Sequence, residues 1–363
     1  MISGTDLSAS AMTETDKAGQ SDERYIKCVV WDLDNTLWQG VLLEQDNLRL
    51  RDKVVEIIQT LDSRGILQSV ASKNDHDLAM AKLREFGLAD YFIYPQISWD
   101  AKSVSIKAIA DLINIGIDSI LFIDAQPFEL DEARHSLPGL RCFDADRLEQ
   151  LPDAPGMKPR FITLESKMRR AIYINDARRK AREEAFIGPK EEFLRTLDMV
   201  FTLSHASQED LRRAEELTIR TNQLNTTGTV YSYEELDYFR CSEAHTLLVA
   251  RLEDKYGAYG TIGLALAETQ GQALIIKLLL MSCRVISRGV GSILLGHLMS
   301  LARQKGLDLL AEFVPSERNR LMYMTFKFAG FHEVENRGGV VRLASQTGRV
   351  PPCPDYVKVV CEE

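Results

Sequence analysis

From Tyr25 to about Gln150, short apolar runs alternate with stretches whose apolar residues recur every three or four positions. "IKCVVWDLD" (26–34), "ILQSVASKN" (66–74), "YFIYPQI" (91–97) and "SILFIDAQ" (119–126) read as strands. "KVVEIIQTLDSRG" (53–65), "DHDLAMAKLREFG" (75–87) and "KSVSIKAIADLIN" (102–114) read as amphipathic helices, the first two closed by Gly65 and Gly87. This repetition predicts a doubly wound parallel α/β sheet. Ligands of such sheets bind at the carboxyl ends of the strands, where Asp32, Ser72 and Asp124 fall.

The pattern then changes. Residues 151–187 read as a linker: a proline-rich boundary, "LPDAPGMKPRF", followed by a highly charged connecting helix over 163–186 whose mixed charges suit a solvated face. A second domain is expected over 188–345. "HTLLVARLED", "YGTIGLALAET" and "ALIIKLLLMSC" predict an antiparallel sheet. The glycine turn "SRGVGS", the helix "ILLGHLMSLARQKG", the strand "LLAEFV" and the helix "RNRLMYMTFKFAG" follow. Residues 1–24 are expected to be a disordered tail without a secretory signal, and 346–363 a featureless tail.

Composition narrows the function classes. A chain of 363 residues suggests two domains. A net charge of -9 disfavours general nucleic-acid binding, which a basic stripe would announce. No apolar stretch reaches the roughly 18 to 20 residues of a membrane span. Six cysteines without metal-like spacing fit a reduced, cytoplasmic protein.

The chemistry begins where the first strand ends, in Asp32, Asp34 and Thr36. Two carboxylates there are costly to desolvate without a cation or donors to compensate them. The D-x-D-x-T pattern after an apolar strand resembles the haloacid dehalogenase (HAD) superfamily. That resemblance implies Asp32 as nucleophile, Asp34 as general acid and base, and Thr36 as support of the turn. It implies Ser72 and Lys102 as ligands of phosphoryl oxygens. It also implies a Mg²⁺ site of Asp32, Asp124 and Asp34, the last through its backbone carbonyl. The short spacing from Thr36 to the next helix, and from Asn74 to Lys102, leaves no room for a large cap domain.

A narrower likeness rests on "DLDNTLWQGV", "SKND", "FIDAQPFE", "LTIRTNQLNTT", "DKYGAYGTIG" and "LLLMSCRVISRGVG". In this order they are similar to the FkbH-like group of HAD proteins, from Tyr25 to about Phe331. The resemblance implies a HAD domain fused to an α+β domain of the GNAT acyltransferase type. The implied activity takes a glyceryl unit from 1,3-bisphosphoglycerate, removes phosphate and loads the acyl group onto the phosphopantetheine thiol of an acyl carrier protein for polyketide-type biosynthesis.

In the second domain, Arg288, Gly289 and Gly291 of the glycine turn precede a helix and suit a phosphopantetheine arm. Cys283, beside Arg284, is the expected acyl-carrying nucleophile. Asn222, Gln223 and Asn225 are expected polar liners of the same cleft. His205, His245 and His297 have no ligand-like spacing. The chain departs from the resembled pattern at Ala71, Ala125, Ile286 and Phe326. Two other readings stay open: a stand-alone small-molecule phosphatase, and a carrier-docking module with weakened chemistry.

Overall fold

The computed structural model describes residues 25–44, 47–221, 223–345 and 350–362. The expected tail over 1–24 and Asn222 lie outside the described residues. The chain forms two compact units that divide between Arg160 and Phe161.

In the first unit, β1 (Cys28–Trp31) is followed by a hairpin of β2 (Trp38–Gln39) and β3 (Arg49–Leu50), then α1 (Val54–Ser63), β4 (Leu67–Ser72), α2 (His76–Glu85) and β5 (Gln96–Ile97). Next come α3 (Lys102–Ile113), β6 (Ile120–Asp124), α4 (Pro127–Ser136) and β7 (Arg141–Asp144). The sheet order is β5-β4-β1-β6-β7, and every pair is parallel. From β1 the chain winds outward through β4 and β5; from β6 it winds the other way to β7. Right-handed crossovers therefore put α1 and α2 on one face and α3 and α4 on the other. The order reverses between β1 and β6, which makes their carboxyl ends the topological switch point.

All four residues of β1 and all five of β6 are buried, as expected for central parallel strands covered on both faces. On α1, Val54, Ile57, Ile58 and Leu61 turn one stripe into the core. The strand expected over 91–97 shrinks to Gln96–Ile97, preceded by a short 3-10 turn at Ala89–Tyr91. Tyr94, next to Pro95, takes a φ of 49°, which bends the chain out of the ladder. The only element between Thr36 and α1 among the described residues is the β2/β3 hairpin, so there is no large cap.

The second unit opens with α5 (Leu164–Ala185), α6 (Lys190–Arg195), β8 (Met199–His205), α7 (Leu211–Arg220) and α8 (Tyr233–Cys241). Strands β9 (His245–Asp254), β10 (Gly257–Gln270) and β11 (Ala273–Met281) follow, then α9 (Gly291–Lys305), β12 (Asp308–Phe313) and α10 (Arg320–Phe328). It closes with β13 (Phe331–Arg337), β14 (Val340–Ser345) and β15 (Val357–Glu362). Eight strands form one sheet, β13-β14-β12-β11-β10-β9-β8-β15. It is mixed rather than wholly antiparallel, because β11 pairs β12 and β8 pairs β15 in parallel.

Two expectations are corrected here. The charged helix over 163–186 is no free-standing connector: Arg179 is wholly buried and donates from Nε and Nη2 to both oxygens of Asp254 at 2.8 Å. Its guanidinium also stacks 3.9 Å from the Tyr259 ring. The stretch 346–363 is no mere tail, since β15 adds six register pairs to the edge of β8.

Candidate functional site

In the first unit, the carboxyl ends of β1 and β6 lie side by side, and the backbone N–H of Asp32 donates to the carbonyl of Ile123 at 2.9 Å. Asp32 and Asp124 are 4% and 1% exposed. Lys102, the first residue of α3, sends its ammonium between them. It pairs closely with Asp32, lies 3.5 Å from Asp124 Oδ2 and donates to the carbonyl of Ala71 at 2.9 Å. Thr36 donates its hydroxyl to Asp32 Oδ2 at 3.1 Å and accepts the backbone N–H of Ala125 at 3.0 Å. The departures at Ala71 and Ala125 thus leave two backbone contacts of the site in place.

The residues after Asp32 turn sharply. Leu33 accepts backbone N–H groups from Thr36, Leu37 and Trp38. Asn35 takes a left-handed φ of 56° and exchanges hydrogen bonds with Gly40. This turn swings the Asp34 side chain away from Asp32 and into a cradle of donors. Trp38 Nε1 and the Leu42 N–H donate to Oδ1 at 2.8 and 3.0 Å, and Asn74 Nδ2 donates to Oδ2 at 2.9 Å. Burial nevertheless raises the Asp34 carboxyl above the usual carboxylate range, opposed by these donors. Burial, aided by the nearby charge of Asp32, pushes the Asp124 carboxyl up to about 6.

The donor set fits magnesium. Asp124 Oδ2 is buried yet accepts no hydrogen bond, while Oδ1 accepts the Gln126 N–H at 2.8 Å. Two hard carboxylates, Asp32 and Asp124, match the preference of that ion for few protein oxygens and several waters. Among the described residues, no group of three or more His, Cys, Asp or Glu side chains is arranged to hold a metal. The Asp34 carboxylate in particular is turned to Trp38 and Asn74 and is not placed to hold such an ion.

Ser72, 3% exposed, ends β4 next to this group. Trp38 and Asn74 were given no role by the sequence, although "SKND" and "DLDNTLW" contain them. Lys73, which pairs with Glu129 at 2.7 Å, was likewise passed over.

In the second unit, β11 ends at Met281 and Cys283 opens a 3-10 turn that runs to Arg288. Gly289 then takes a left-handed φ of 71°, and α9 starts at Gly291. Cys283 and Arg284 are half-buried, and Arg284 Nη2 donates to the carbonyl of Tyr259 at 3.1 Å. Arg288 is buried and donates to Glu183 at 3.0 Å, so it braces the turn against α5.

Asn225 is 1% exposed, and its amide is engaged by its own loop: Nδ2 donates to Thr221 O, and Oδ1 accepts the N–H groups of Thr227 and Gly228. That loop is wedged between β11 and β12. The two strands pair only from Ala273 and Asp308 to Ile276 and Ala311. Beyond that, Leu224 accepts from Met281, Thr226 exchanges bonds with Leu279, and Val314 donates to Thr226 O. Asn319 Nδ2 fastens the wedge through the carbonyls of Asn225 and Val314. Gln223 is half-buried beside it. Phe326 is a core residue packed edge-to-face on Phe331 at 5.0 Å, and Ile286 is exposed.

No protein-family model matches the chain, and no curated protein matches it. Solved structures do. The chain is 29% identical to the N-terminal part of a Bacteroides fragilis protein containing a phosphatase domain complexed with magnesium, with a TM-score of 0.33. That match covers 35% of this chain and spans 39% of the other chain. The ribosomal-protein-S18-alanine N-acetyltransferase from Escherichia coli is 17% identical, with a TM-score of 0.32 over 40% of this chain and 92% of that one. The PaiA N-acetyltransferase from Thermoplasma acidophilum, in complex with coenzyme A, is 15% identical with a TM-score of 0.32, covering 40% and 98%. Among the described residues, no helix is long and apolar enough to cross a membrane.

Proposed function

We propose that this chain is a magnesium-dependent HAD-type phosphatase joined to a GNAT-like acyl-transfer unit, and that it moves a glyceryl group from 1,3-bisphosphoglycerate to the phosphopantetheine thiol of an acyl carrier protein. The observation that carries the phosphatase reading is the buried pair of Asp32 and Asp124 around the Lys102 ammonium, with Asp124 Oδ2 left without a hydrogen bond.

A carboxylate oxygen of Asp32 attacks phosphorus, the bond from phosphorus to the leaving oxygen breaks, and Asp34 gives that oxygen its proton. Asp34, now ionised, takes a proton from water, whose oxygen attacks the phosphorus and releases Asp32 and inorganic phosphate. Lys102 and Thr36 hold Asp32 in line throughout, and the Ser72 hydroxyl is available to a phosphoryl oxygen. Asp32, Asp124 and the Asp34 carbonyl would hold magnesium, which when bound neutralises charge on the phosphoryl oxygens.

In the second unit, the Cys283 thiolate attacks the acyl carbonyl of an acyl phosphate. The carbon–oxygen bond to phosphate breaks and a thioester forms; the carrier thiolate then attacks this thioester and restores Cys283. A reduced cytoplasm suits both thiols.

The phosphatase reading is tested by phosphate release from a generic phosphate ester. Magnesium should stimulate it and Asp32→Asn should abolish it, whereas release that ignores both would overturn the assignment. The acyl-transfer reading is tested by incubation with 1,3-bisphosphoglycerate and intact-protein mass spectrometry. Cys283→Ala should lose the acyl adduct and keep phosphate release, and an undiminished adduct would remove Cys283 from the scheme.

A further inference from the structure

We infer that Lys73 donates to the phosphoryl group that Asp32 attacks, as a second cation of that site, held in place by Glu129. This rests on the phosphatase reading of Asp32 and adds to it a residue that meets the charge of the substrate.

The Asp32 site is short of donors. A phosphoryl group in transfer carries its negative charge on three outer oxygens, and donors placed around them stabilise it. The Lys102 ammonium has three N–H groups, and the protein already surrounds it with Asp32, the Ala71 carbonyl and, at 3.5 Å, Asp124. The Thr36 hydroxyl is given to Asp32. The Ser72 hydroxyl is a single neutral donor.

Lys73 stands where further charge is needed. It follows Ser72 at the end of β4, and its Nζ donates to Glu129 Oε1 at 2.7 Å. Glu129 belongs to the first turn of α4, just beyond β6. Its N–H donates to the Gln126 carbonyl at 3.1 Å, and the Gln126 N–H donates to Asp124 Oδ1 at 2.8 Å. In the sheet, β1 lies between β4 and β6. A bond from the residue after β4 to the turn after β6 therefore crosses the carboxyl end of β1, which Asp32 follows.

Both ends of this crossing are fixed. The Ser72 carbonyl accepts the Ser98 N–H at 3.1 Å, and Asn74, 1% exposed, is tied to Asp34. Glu129 is 7% exposed, and its other oxygen, Oε2, is buried without a hydrogen bond. A carboxylate set that deep draws the ammonium inward over the site instead of out to solvent. A buried acceptor left bare is tolerated where a ligand, ion or water completes it, and Asp124 Oδ2 is bare as well. Lys73 gives one N–H to Glu129, and its side chain is 37% exposed. Its other N–H groups can turn to a phosphoryl oxygen entering from the mouth.

The test is the affinity of the full-length protein for inorganic phosphate in magnesium, titrated by phosphorus NMR, together with kcat/KM for a generic phosphate ester. Lys73→Gln alone would leave Glu129 as an unpaired buried charge, so the decisive comparison is Glu129→Gln with and without Lys73→Gln. The double variant should bind phosphate about tenfold or more weakly than Glu129→Gln, and kcat/KM should fall by at least the same factor. Lys73→Arg should keep most of the affinity. Lys158 pairs with Asp153 beside the Gly156 carbonyl that meets Ile26 at the amino end of β1. Lys158→Gln should change neither quantity.

Equal phosphate affinity in Glu129→Gln and in the double variant, at similar melting temperatures, would overturn the assignment and leave Lys73 only the neutralisation of Glu129. So would a wild-type protein that binds no phosphate. Phosphate binding that depends on Lys73 without ester hydrolysis would support Lys73 and count against the phosphatase reading. Hydrolysis that ignores the double change would do the reverse.

Discussion

Trp38 donates its indole N–H to Asp34 Oδ1 at 2.8 Å, and Asn74 reaches the other oxygen of the same carboxylate at 2.9 Å. The carboxylate proposed as the general acid is thereby held by two side chains, one on each oxygen. Replacing Trp38 by Phe keeps an aromatic ring in a fully buried position but removes the donor. Phosphate release in magnesium is expected to fall by about tenfold, a fraction of the roughly 10²- to 10⁴-fold that a positioned acid supplies. Asn74→Ala should act in the same direction. The double variant should lose less than the product of the two, because both act through one carboxylate. Turnover of a phosphate ester, compared with the melting temperature, separates lost positioning from lost stability.

Glu216 carries a second prediction, in pH. Burial alone would raise its carboxyl, but Arg213, Arg169 and Arg220 hold it well below the usual range. A carboxylate depressed in the folded state contributes stability that is complete above the ordinary glutamate value near 4.3 and is lost as pH falls through the folded value. Glu216→Gln is therefore expected to cost about 3–5 kcal/mol at pH 7, where three guanidinium groups lose their shared partner. The gap between variant and wild type should narrow steadily below about pH 4. Urea midpoints measured from pH 7 down to pH 3 would check both parts.

Arg179 is expected to behave as a structural lock. Its fork grips both oxygens of Asp254, donates to the Gly257 carbonyl at 2.9 Å and covers the Tyr259 ring. Arg179→Met would leave Asp254 buried without its cation and should destabilise the second unit by roughly 3–5 kcal/mol. Arg179→Lys should recover only part of this, since an ammonium cannot reproduce a planar two-bond contact. Denaturant midpoints of the two variants give the comparison.

The glycine turn offers an internal control. Gly289 sits at φ +71°, and a Cβ there would collide with the Tyr356 hydroxyl, whereas Gly291 has an unremarkable φ and open space around it. Gly289→Ala should cost at least about 1–2 kcal/mol from the left-handed backbone alone. Gly291→Ala should be neutral or slightly stabilising within the first turn of α9. Tyr356→Phe should relieve only the steric part of the Gly289 penalty. Thermal melts of the single and double variants would resolve the two contributions.

Much of the first unit can be read from its residues. The apolar runs at 28–31 and 120–123 are what strands buried on both faces require, and α1, α2 and α3 lie within two residues of their expected ends, helped by the Asp75 cap of α2, whereas α4 and β7 have no counterpart among the elements expected from the sequence. Asp32, Thr36, Lys102 and Asp124 come together as the motif order implied. Trp38 and Asn74 escaped notice because an indole and an amide show no pattern until a turn folds them over Asp34.

The second unit is less legible. β8 and β15 lie at the sheet edge with short alternating sequences, and Pro351, Pro352 and Pro354 disguise the approach to β15. The buried stripe of α5 includes Arg169 and Arg179, so a core-facing helix carries the composition of a solvated one. The wedge at Leu224–Thr226 has no periodic signal, because single backbone groups and the Thr226 hydroxyl, not a regular strand, fill the gap between β11 and β12.

The pairing of β15 with β8 has a kinetic corollary. The first and last strands of the second sheet adjoin, so the outer backbone groups of β8 stay unpaired until the far end of the unit has been synthesised and returned. Contacts so distant along the chain form slowly, and an uncovered strand edge in the meantime recruits other chains. The step at which nascent protein is lost to aggregation should thus be the docking of this closing strand, which makes chaperone demand a property of the second unit rather than of the first.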